Sequence, residues 1–273
     1  MNKQKIEHSI NKKYRKEIWR PFVSGIQKYQ LIQPDDNIAV CISGGKDSML
    51  LAKLLQMLQR YSDFPFQLKF IVMNPGYNEI NLQRVVSNAS LLDIPIEIFE
   101  SNIFEVVTGT RRSPCYLCAR MRRGFLYAHA QKIGCNKIAL GHHFNDVVET
   151  VLMGMLYGAQ IATMMPKLKS RNFAGMQLIR PMYSVPEDAI ISWARHNELS
   201  FIQCACPLSE NCNIFEASGG VSKRQEVKAL LKRLKQDNKD VEKSIFKSIH
   251  MVNLDTIIGY KQNEKEINFL EGY

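Results

Sequence analysis

Short apolar runs alternate along the chain with longer segments of helical periodicity. The first run, Asn37–Ile42, is too short for a helix and is bounded by turn residues, so it predicts a buried strand. From Met49 to Leu58, leucine and methionine recur at helical spacing, which predicts a helix. This alternation is typical of an α/β fold in which helices flank a parallel sheet. Further strands are predicted at Phe66–Met73, Ile94–Phe99, Lys137–Leu140 and 176–183, and further helices at Ile80–Leu92, Cys115–Ile133, Asn145–Tyr157 and Pro186–Asn197.

Basic helical segments are predicted on both sides of this alternating region. Residues 1–35 are expected to form a basic N-terminal helical segment, residues 36–212 the α/β domain, and residues 213–273 a basic helical C-terminal segment. Residues 204–220 carry three cysteines and two glycines, a composition that predicts a loop.

The charge balance of the chain is strongly basic. The chain has 36 lysine and arginine residues and 26 aspartate and glutamate residues, which gives a formal charge of +10. That excess favours a polyanionic partner such as nucleic acid, because neutralising phosphates releases counterions, although positive charge also serves solubility. No apolar run approaches the roughly 20 residues of a membrane helix. We therefore expect a cytoplasmic protein with no membrane partner, whose seven cysteines are free thiols, metal ligands or catalytic groups.

The first candidate site is the loop between the first strand and its helix, with the sequence Ser43-Gly44-Gly45-Lys46-Asp47-Ser48. Adjacent glycines let backbone amides turn inward, where they and the helix N-terminus can hold phosphate. Lys46 adds positive charge, whereas Asp47 would repel phosphate unless Mg²⁺ lay between them. The loop therefore predicts a site for a metal–nucleotide complex. An ordinary strand–helix turn with capping serine and aspartate is the alternative.

The second candidate site is the pair Cys115 and Cys118, about one helical turn apart at a predicted helix start. The helix N-terminus stabilises thiolates, and the spacing suits a shared metal. Further ligands must come from elsewhere, and Cys204, Cys206 and Cys212 form the other cysteine cluster. Four sulfurs would suit zinc, and three with an open position would suit an iron–sulfur cluster. A redox dithiol or two buried cysteines are the other interpretations.

The third candidate site is Gly141-His142-His143-Phe144-Asn145-Asp146, directly after the fourth predicted strand. In open α/β sheets, ligands bind beyond the carboxyl ends of the strands, so the first and fourth strands would bring Asp146 and the glycine loop to one edge. Asp146 is therefore predicted as a second ligand of the nucleotide's metal. His142 and His143 could form a zinc site or be polar loop residues, and neighbouring residues rarely bind one ion well.

These motifs together resemble a known family. The SGGKDS loop is the signature of the PP-loop, or N-type, ATP pyrophosphatases, whose HUP-like fold is a parallel sheet flanked by helices. The stretch CYLCARMRRGFLYAHAQKIGCNKIALGHHFNDVVET resembles the tRNA 2-thiocytidine synthetases of that group. MMPKL at 164–168 and IRPMY at 179–183 are similar to segments of the same family, and the resemblance covers roughly residues 36–212.

The resemblance implies an activity. The family binds ATP and Mg²⁺, adenylates the C2 oxygen of a tRNA cytidine and replaces that oxygen with sulfur, giving 2-thiocytidine. ATP binding is thereby implied for the glycine loop and Gly141, and we take Asp47, Asp146 and Arg122 as the catalytic candidates. The expected partners are tRNA, a cysteine-desulfurase-type sulfur donor and a second copy of the chain. A related thiolase acting on another base, an amide-forming PP-loop ligase and a non-catalytic iron–sulfur sensor of nucleic acid are the alternatives.

The resemblance also implies a [4Fe-4S] cluster held by three cysteines, and Cys115 and Cys118 match two of them directly. The third falls in the later cysteine loop, where this chain departs from the family's bacterial form C-N-L-C-G-S-Q by placing a single alanine between two cysteines. Cys206 is the preferred ligand because it precedes the matching Ser-Glu-Asn. Cys204 is the alternative, and Cys212 is the least favoured.

Two basic clusters are candidate surfaces for tRNA. Arginines crowd around the first cysteine pair, at Arg111, Arg112, Arg120, Arg122 and Arg123. They could bind tRNA phosphate or the adenylate, or form a solvated helix face. The second cluster is in the N-terminal segment, at Lys12, Lys13, Arg15, Lys16 and Arg20.

Overall fold

The computed structural model describes residues 3–108, 114–202 and 222–272. A sheet of six strands lies within the first two ranges. In chain order the strands are β1 (Asn37–Ile42), β2 (Gln67–Asn74), β3 (Ile96–Glu100), β4 (Lys137–Ala139), β5 (Lys167–Lys169) and β6 (Gln177–Ile179). Their spatial order is β3-β2-β1-β4-β6-β5, and every neighbouring pair is parallel except β5 and β6. The expected α/β fold with a parallel sheet is confirmed, with an antiparallel strand added at one edge.

Helices precede, connect and follow these strands. Before the sheet are α1 (Lys3–Asn11), a π-helical turn at Arg15–Trp19 and α2 (Arg20–Lys28). Between and after the strands are α3 (Lys46–Tyr61), α4 (Glu79–Leu91), α5 (Ile103–Thr108), α6 (Pro114–Lys132), α7 (Phe144–Gly158) and α8 (Glu187–His196). The last described range contains α9 (Lys223–Asp237), α10 (Val241–Ser248) and a hairpin of β7 (Gly259–Gln262) and β8 (Lys265–Asn268). Among the described residues, no helix combines the length and the apolar character needed to cross a membrane.

The central strand β1 is buried on both faces, as its continuous apolar run predicts. Ile38, Val40 and Ile42 belong to a core cluster that also contains apolar residues of α3 and α8. Ala39 and Cys41 belong to the cluster on the opposite face, which α6 covers. The period-two alternation of a strand therefore places α3 and α6 on opposite faces of the sheet.

The N-terminal helices contribute to the same core. Ile6, Ile10, Ile18 and Phe22 are fully buried in the cluster that contains α3. Lys53 of α3 is buried too, and its ammonium pairs with Glu7 at 2.7 Å and donates to the Leu92 carbonyl. The basic character of this segment is therefore confined to its outer face, while its apolar face covers the sheet.

The strand order reverses beside β1. The chain passes from β1 to β2 and β3 on one side, then crosses back to place β4 on the other side of β1. At such a switch point the connections leave β1 and β4 in opposite directions, which opens a crevice beyond their carboxyl ends. The candidate loops at 43–48 and 141–146 directly follow these two strands.

The amino ends of β1 and β4 are joined by a buried ion pair. The Lys137 ammonium donates to the Asp36 carboxylate and to the Leu31 carbonyl. Asp36 also accepts hydrogen bonds from the Gln33 backbone at 2.6 Å and from the Asn136 amide at 2.9 Å. Each charge therefore has several partners, as a buried charge requires. The network aligns the two strands whose opposite ends carry the candidate site.

The chain divides into two compact units. The first contains residues 1–147 and 164–222, and the second contains residues 148–163 and 223–273. Within the second unit, the buried Glu149 carboxylate accepts a 2.6 Å hydrogen bond from Arg224. The three-segment division expected from the sequence, with boundaries at 35 and 212, stays a prediction, and the second boundary falls outside the described residues.

The elements with clear periodicity lie where the sequence places them, within a few residues. Three features differ from the expectations. Residues 167–169 form the short antiparallel strand β5, and residues 103–108 form α5, neither of which the pattern predicts. The C-terminal segment is helical only to Ser248, because residues 259–268 form a hairpin. Residues 204–220, predicted as a loop, lie outside the described residues.

We expect Asp36→Ala to destabilise the protein by about 3–5 kcal/mol, because it leaves the buried Lys137 ammonium without its carboxylate. Chemical denaturation followed by circular dichroism measures this change. The exposed pair Lys261–Glu266 provides the control. Glu266→Ala should not change the denaturant concentration at the unfolding midpoint. Equal midpoints for Asp36→Ala and the wild type would show that the ion pair does not stabilise the fold.

Candidate active site

The loop after β1 is closed by its own serines. The Ser48 hydroxyl donates to the Gly45 carbonyl at 3.0 Å and accepts from the Ser43 backbone at 3.1 Å. Helix α3 begins at Lys46, and Gly45 in extended conformation precedes it. The first N–H groups of a helix have no partner within the helix, so this loop presents an anion site at the start of α3.

Gly44 is constrained by its backbone and by its neighbours. Its φ is +82°, in the left-handed region that favours glycine. A Cβ at this position would also lie 2.7 Å from Val85 and 2.9 Å from Ile202. The Ile202 backbone N–H donates to the Gly44 carbonyl at 3.2 Å. The last described residue before 203–221 is therefore hydrogen-bonded to the glycine loop.

The loop after β4 approaches the glycine loop at Gly141. A Cβ on Gly141 would lie 3.0 Å from the Ser48 backbone nitrogen and 3.1 Å from the Asp47 carbonyl carbon. These atoms are backbone atoms near the start of α3 and cannot move aside like a side chain. The close approach therefore requires glycine at this position.

A charged cluster lies beside this contact. The Lys46 ammonium is 3.0 Å from a Glu187 carboxylate oxygen and 3.1 Å from the Asp47 carboxylate. Burial by itself would lower the pKa of Lys46, but the two carboxylates outweigh it and raise that pKa above its usual value. Lys46 therefore carries a positive charge at the start of α3. The buried His143 imidazole is 3.8 Å from both Asp47 and Glu187.

Asp146 lies in the first turn of α7 and has a capping role as well as a place in the pocket. Its carboxylate accepts the His143 backbone N–H at 3.0 Å, and its own N–H donates to the His143 ring at 3.4 Å. The predicted zinc alternative at His142 and His143 has no support, because within the described ranges no three His, Cys, Asp or Glu side chains are arranged to hold a metal ion.

A pocket of about 440 Å³ brings six of the predicted site residues together. Its volume is within the range of small-molecule and cofactor sites. The predicted residues that line it are Ser43, Asp47, Ser48, Arg122, Gly141 and Asp146. Gly44, Gly45 and Lys46 are in the same loop but do not line it. The sites predicted after β1 and β4 are therefore parts of one site.

One oxygen of the Asp47 carboxylate, Oδ1, is buried and makes no hydrogen bond with the described part of the chain. A buried carboxylate oxygen without a donor is unfavourable unless a ligand supplies a positive charge. Because no three-ligand metal group exists among the described residues, a cation held by Asp47 would take most of its ligands from phosphate and water. That is the usual way in which Mg²⁺ binds at nucleotide sites.

Arg122 reaches this pocket from α6. Its guanidinium carbon lies 5.5 Å from the centre of the Phe104 ring, a cation–π contact. Its Nε atom is buried and has no hydrogen-bond partner. The neighbouring Arg123 lines the same pocket. Two arginines therefore face the phosphate loop across the pocket, where they could stabilise negative charge.

The cysteines of α6 lie close to the pocket residues on the same helix. Cys115, Cys118 and Arg122 are spaced three and four residues apart, so they share one helical stripe. Cys118 is a half-buried free thiol that packs on the cluster containing Met73 and Phe104, the ring beneath Arg122. The Cys115 backbone lies in the first turn of α6. Two thiols at this spacing are suitable donors for an iron–sulfur cluster. The predicted third ligand, Cys206, lies outside the described residues, as do Cys204 and Cys212.

The remaining two cysteines are buried in the core. Burial raises the pKa of the Cys41 thiol far above its usual value, and it also raises the pKa of Cys135. Both therefore stay protonated at neutral pH and are poor metal ligands. Cys41 reaches the wall of the pocket but does so as a neutral thiol.

Two site residues were absent from the sequence prediction. Glu187 binds Lys46, although its position in the first turn of α8 indicates only helix capping. Tyr77 lines the pocket, and its hydroxyl donates to the Ser43 carbonyl at 3.3 Å. It follows the carboxyl end of β2, the strand next to β1, so the strand-end rule could have found it.

A glycine loop at the start of a helix, placed where the strand order reverses, defines an α/β protein with a phosphate-binding loop. A family model described as the PP-loop domain matches residues 10–210 of this chain. The structure of the U34-tRNA thiolase NcsA from Methanococcus maripaludis with its [4Fe-4S] cluster is similar, with a TM-score of 0.65. It is 23% identical and covers 89% of this chain and 80% of its own, so it supports the fold alone.

Curated relatives narrow this assignment. The tRNA-cytidine(32) 2-sulfurtransferase of Geobacter metallireducens is 32% identical over 247 residues, which is 89% of this chain and 92% of the relative. The protein of the same name from Vibrio campbellii is 34% identical over 248 residues, covering 88% and 79% of the two chains. The chain belongs to the PP-loop family and, within it, to the tRNA-cytidine(32) 2-sulfurtransferases.

We expect Asp47→Ala to abolish ATP-dependent pyrophosphate release while the fold stays intact. The change removes the oxygen that would join a cation to the reacting phosphates, a loss of several kcal/mol of transition-state stabilisation, or roughly a hundredfold or more in rate. A coupled pyrophosphate assay measures the rate. Asp63→Ala, at an exposed aspartate outside the pocket, should keep the wild-type rate. Wild-type turnover by Asp47→Ala would remove this residue from the site.

Proposed function

We propose that the protein is an ATP-dependent tRNA sulfurtransferase that converts a cytidine to 2-thiocytidine. The observation that carries the proposal is the arrangement of residues on α6. The two cysteines expected to bind the cluster share one face of this helix with an arginine that lines the phosphate-loop pocket. Arg122 at one end of the stripe lines the phosphate-loop pocket, and Cys115 and Cys118 lie within two turns of it. The named activity of the curated relatives supports tRNA cytidine as the substrate.

The reaction has two steps, adenylation of the C2 oxygen and its replacement by sulfur. The C2 oxygen of the cytidine attacks the α-phosphorus of ATP, and pyrophosphate leaves. This adenylation converts a poor leaving group into AMP. Sulfide then attacks C2, and AMP leaves with the former C2 oxygen. The site must therefore hold ATP, admit the base and deliver sulfur within one pocket.

The residues after β1 and β4 would bind and orient ATP. The N–H groups at the start of α3 and the Lys46 ammonium supply positive charge for the phosphates. Asp47, with Asp146 as the second carboxylate in the pocket, would hold Mg²⁺, which neutralises phosphate charge when it is bound. Arg122, opposite the loop, would stabilise the charge that develops as pyrophosphate leaves.

The donor set of α6 fits an iron–sulfur cluster held with a third cysteine. When bound, such a cluster would carry sulfur to the reacting carbon. Cys206 is the preferred third ligand because it precedes the Ser-Glu-Asn that matches the family, and Cys204 is the alternative.

The wider assignments follow from the substrate. The +10 charge of the chain supports binding of a polyanion such as tRNA. The C2 position is accessible only in an unstacked nucleotide, so the target would lie in a loop or be flipped out of its stack. A cysteine-desulfurase-type protein as the sulfur donor, a homodimer and a cytoplasmic location remain parts of this proposal.

We expect Cys115→Ala, Cys118→Ala and Cys206→Ala each to lose iron and 2-thiocytidine formation together. A cluster held by three thiolates that loses one of them is left with an iron that has no protein donor. The assay combines iron quantification of anaerobically purified protein with mass spectrometry of nucleosides after incubation with tRNA, ATP and sulfide. Cys135→Ala removes a buried thiol of the core cluster that α6 covers, so this variant should retain both the iron and 2-thiocytidine formation.

The outcomes of this experiment separate the alternatives. Iron lost in Cys204→Ala but retained in Cys206→Ala would transfer the ligand role to Cys204. A thiolated base other than cytidine would replace the proposed substrate with another one. Zinc instead of iron in the wild-type protein, with no thiolated nucleoside formed, would contradict the proposed function.

A further inference from the structure

A second pocket lies on the other side of Arg123 from the phosphate loop. It has a volume of about 540 Å³ and lies between α6 and the connection from β5 to β6. Arg123 lines both this pocket and the phosphate-loop pocket. We call the second one the α6–β5 pocket. Because the two pockets share Arg123, the α6–β5 pocket is next to the proposed reaction site.

The lining of the α6–β5 pocket is strongly positive. Four of its side chains are cations, namely Arg120, Arg123, Lys169 and Arg171, and no aspartate or glutamate lines it. All four are exposed. None of them has a carboxylate partner in the part of the chain that the structure describes. Within the described ranges, no carboxylate neutralises their charges, which leaves these side chains available to an anionic ligand.

One cation of the α6–β5 pocket, Arg123, affects a neighbouring buried arginine. Burial is the main reason why the pKa of Arg180 falls to about 10, and repulsion by Arg123 lowers it further. The Arg180 Nε atom is buried and has no hydrogen-bond partner among the described residues. An anion bound beside Arg123 would relieve this repulsion.

Ring stacking and hydrogen bonds hold the wall of the α6–β5 pocket. The rings of Tyr127 and Phe173 are stacked, with centroids 5.1 Å apart and planes at 12°. The turn before Phe173 is closed by a hydrogen bond from its backbone N–H to the Ser170 hydroxyl at 3.1 Å. The Met176 N–H in turn donates to the Phe173 carbonyl at 3.1 Å. Lys169 and Arg171 are therefore displayed on an ordered turn, so binding through them would require little further ordering.

A glycine on α6 opens the α6–β5 pocket to close approach. Gly124 lines it, and a Cβ added there would meet no atom within 4 Å. Glycine inside a helix costs about 0.5–1 kcal/mol relative to alanine. Local packing does not require glycine here, and the open space admits a ligand that approaches the helix backbone.

We propose that the α6–β5 pocket binds a backbone phosphodiester of the RNA strand that carries the target nucleotide. Four cations that have no carboxylate partner among the described residues match the charge of an RNA backbone that passes alongside α6. Arg123, shared by the two pockets, would fix the distance between this phosphate and the base at the phosphate loop. This inference rests on the proposed function, which supplies the RNA substrate.

The test compares two double variants that remove the same charge. Lys169→Ala/Arg171→Ala alters the α6–β5 pocket. Arg84→Ala/Lys132→Ala removes two exposed cations that lie outside it. Binding of a tRNA transcript is measured at several salt concentrations, together with the KM for ATP in pyrophosphate release. We expect the pocket variant to bind tRNA roughly tenfold or more weakly, with a salt slope smaller by about 1, since the pocket contacts one phosphate and each phosphate contact contributes about 1. Its KM for ATP should not change.

The control variant should bind tRNA as the wild type does. Equal weakening by both variants would show a diffuse charge effect and overturn the assigned pocket. A raised KM for ATP with unchanged tRNA affinity would assign the pocket to the nucleotide instead. Wild-type protein that fails to bind tRNA at all would contradict the proposed function, which is a different result from normal binding by the pocket variant.

A steric variant tests the same pocket without removing charge. Gly124→Gln adds a long neutral side chain at a position with open space, so the protein should fold and keep its KM for ATP. We expect it to bind tRNA at least several-fold more weakly because the pocket is filled. Unchanged tRNA affinity would show that RNA does not enter the pocket.

Discussion

The close approach of two backbone segments, just beyond β1 and β4, is the constraint on which the site depends. Gly141 lies so near the start of α3 that a Cβ would be 3.0 Å from the Ser48 nitrogen. That contact brings Asp146 into the same pocket as Asp47. It is possible only because β1 and β4 are parallel neighbours at the reversal of the strand order. The Asp36–Lys137 pair holds the opposite ends of these strands together, so the core and the site depend on the same strand pairing.

The helix α6 connects the core, the site and the proposed RNA surface. One stretch of it packs on the sheet through Tyr127 and Ala130. Its earlier turns carry the cysteine pair and Arg122, while Arg123 and Gly124 face the α6–β5 pocket. Because a helix is rigid over this length, the positions of residues along α6 would fix the distances between the sites of sulfur delivery, adenylation and RNA binding. That explains how one helix can organise a reaction with three components.

Much of this organisation could be predicted from the sequence. The buried run Asn37–Ile42 and the residues after β4 predict where ligands bind, because strand periodicity and the carboxyl-end rule are local signals. Glu187, by contrast, is 141 residues away from Lys46 along the chain. Their contact forms only in the folded protein, so no local sequence signal predicts it. Likewise β5 has three residues, too few for a periodic pattern, so the pocket it helps to form has no sequence signature. The assignment of Cys206 came from a resemblance and falls on residues that the structure does not describe.

The central claim is that ATP activates the C2 oxygen of the cytidine in this pocket. A tRNA transcript made with oxygen-18 at C2 of its cytidines tests it directly, with the AMP from a reaction with unlabelled ATP and sulfide analysed by mass spectrometry. The account predicts that AMP gains a single heavy oxygen for each 2-thiocytidine formed, because adenylation leaves the C2 oxygen on the phosphate. Thiolated tRNA accompanied by unlabelled AMP, or by ADP, would contradict it.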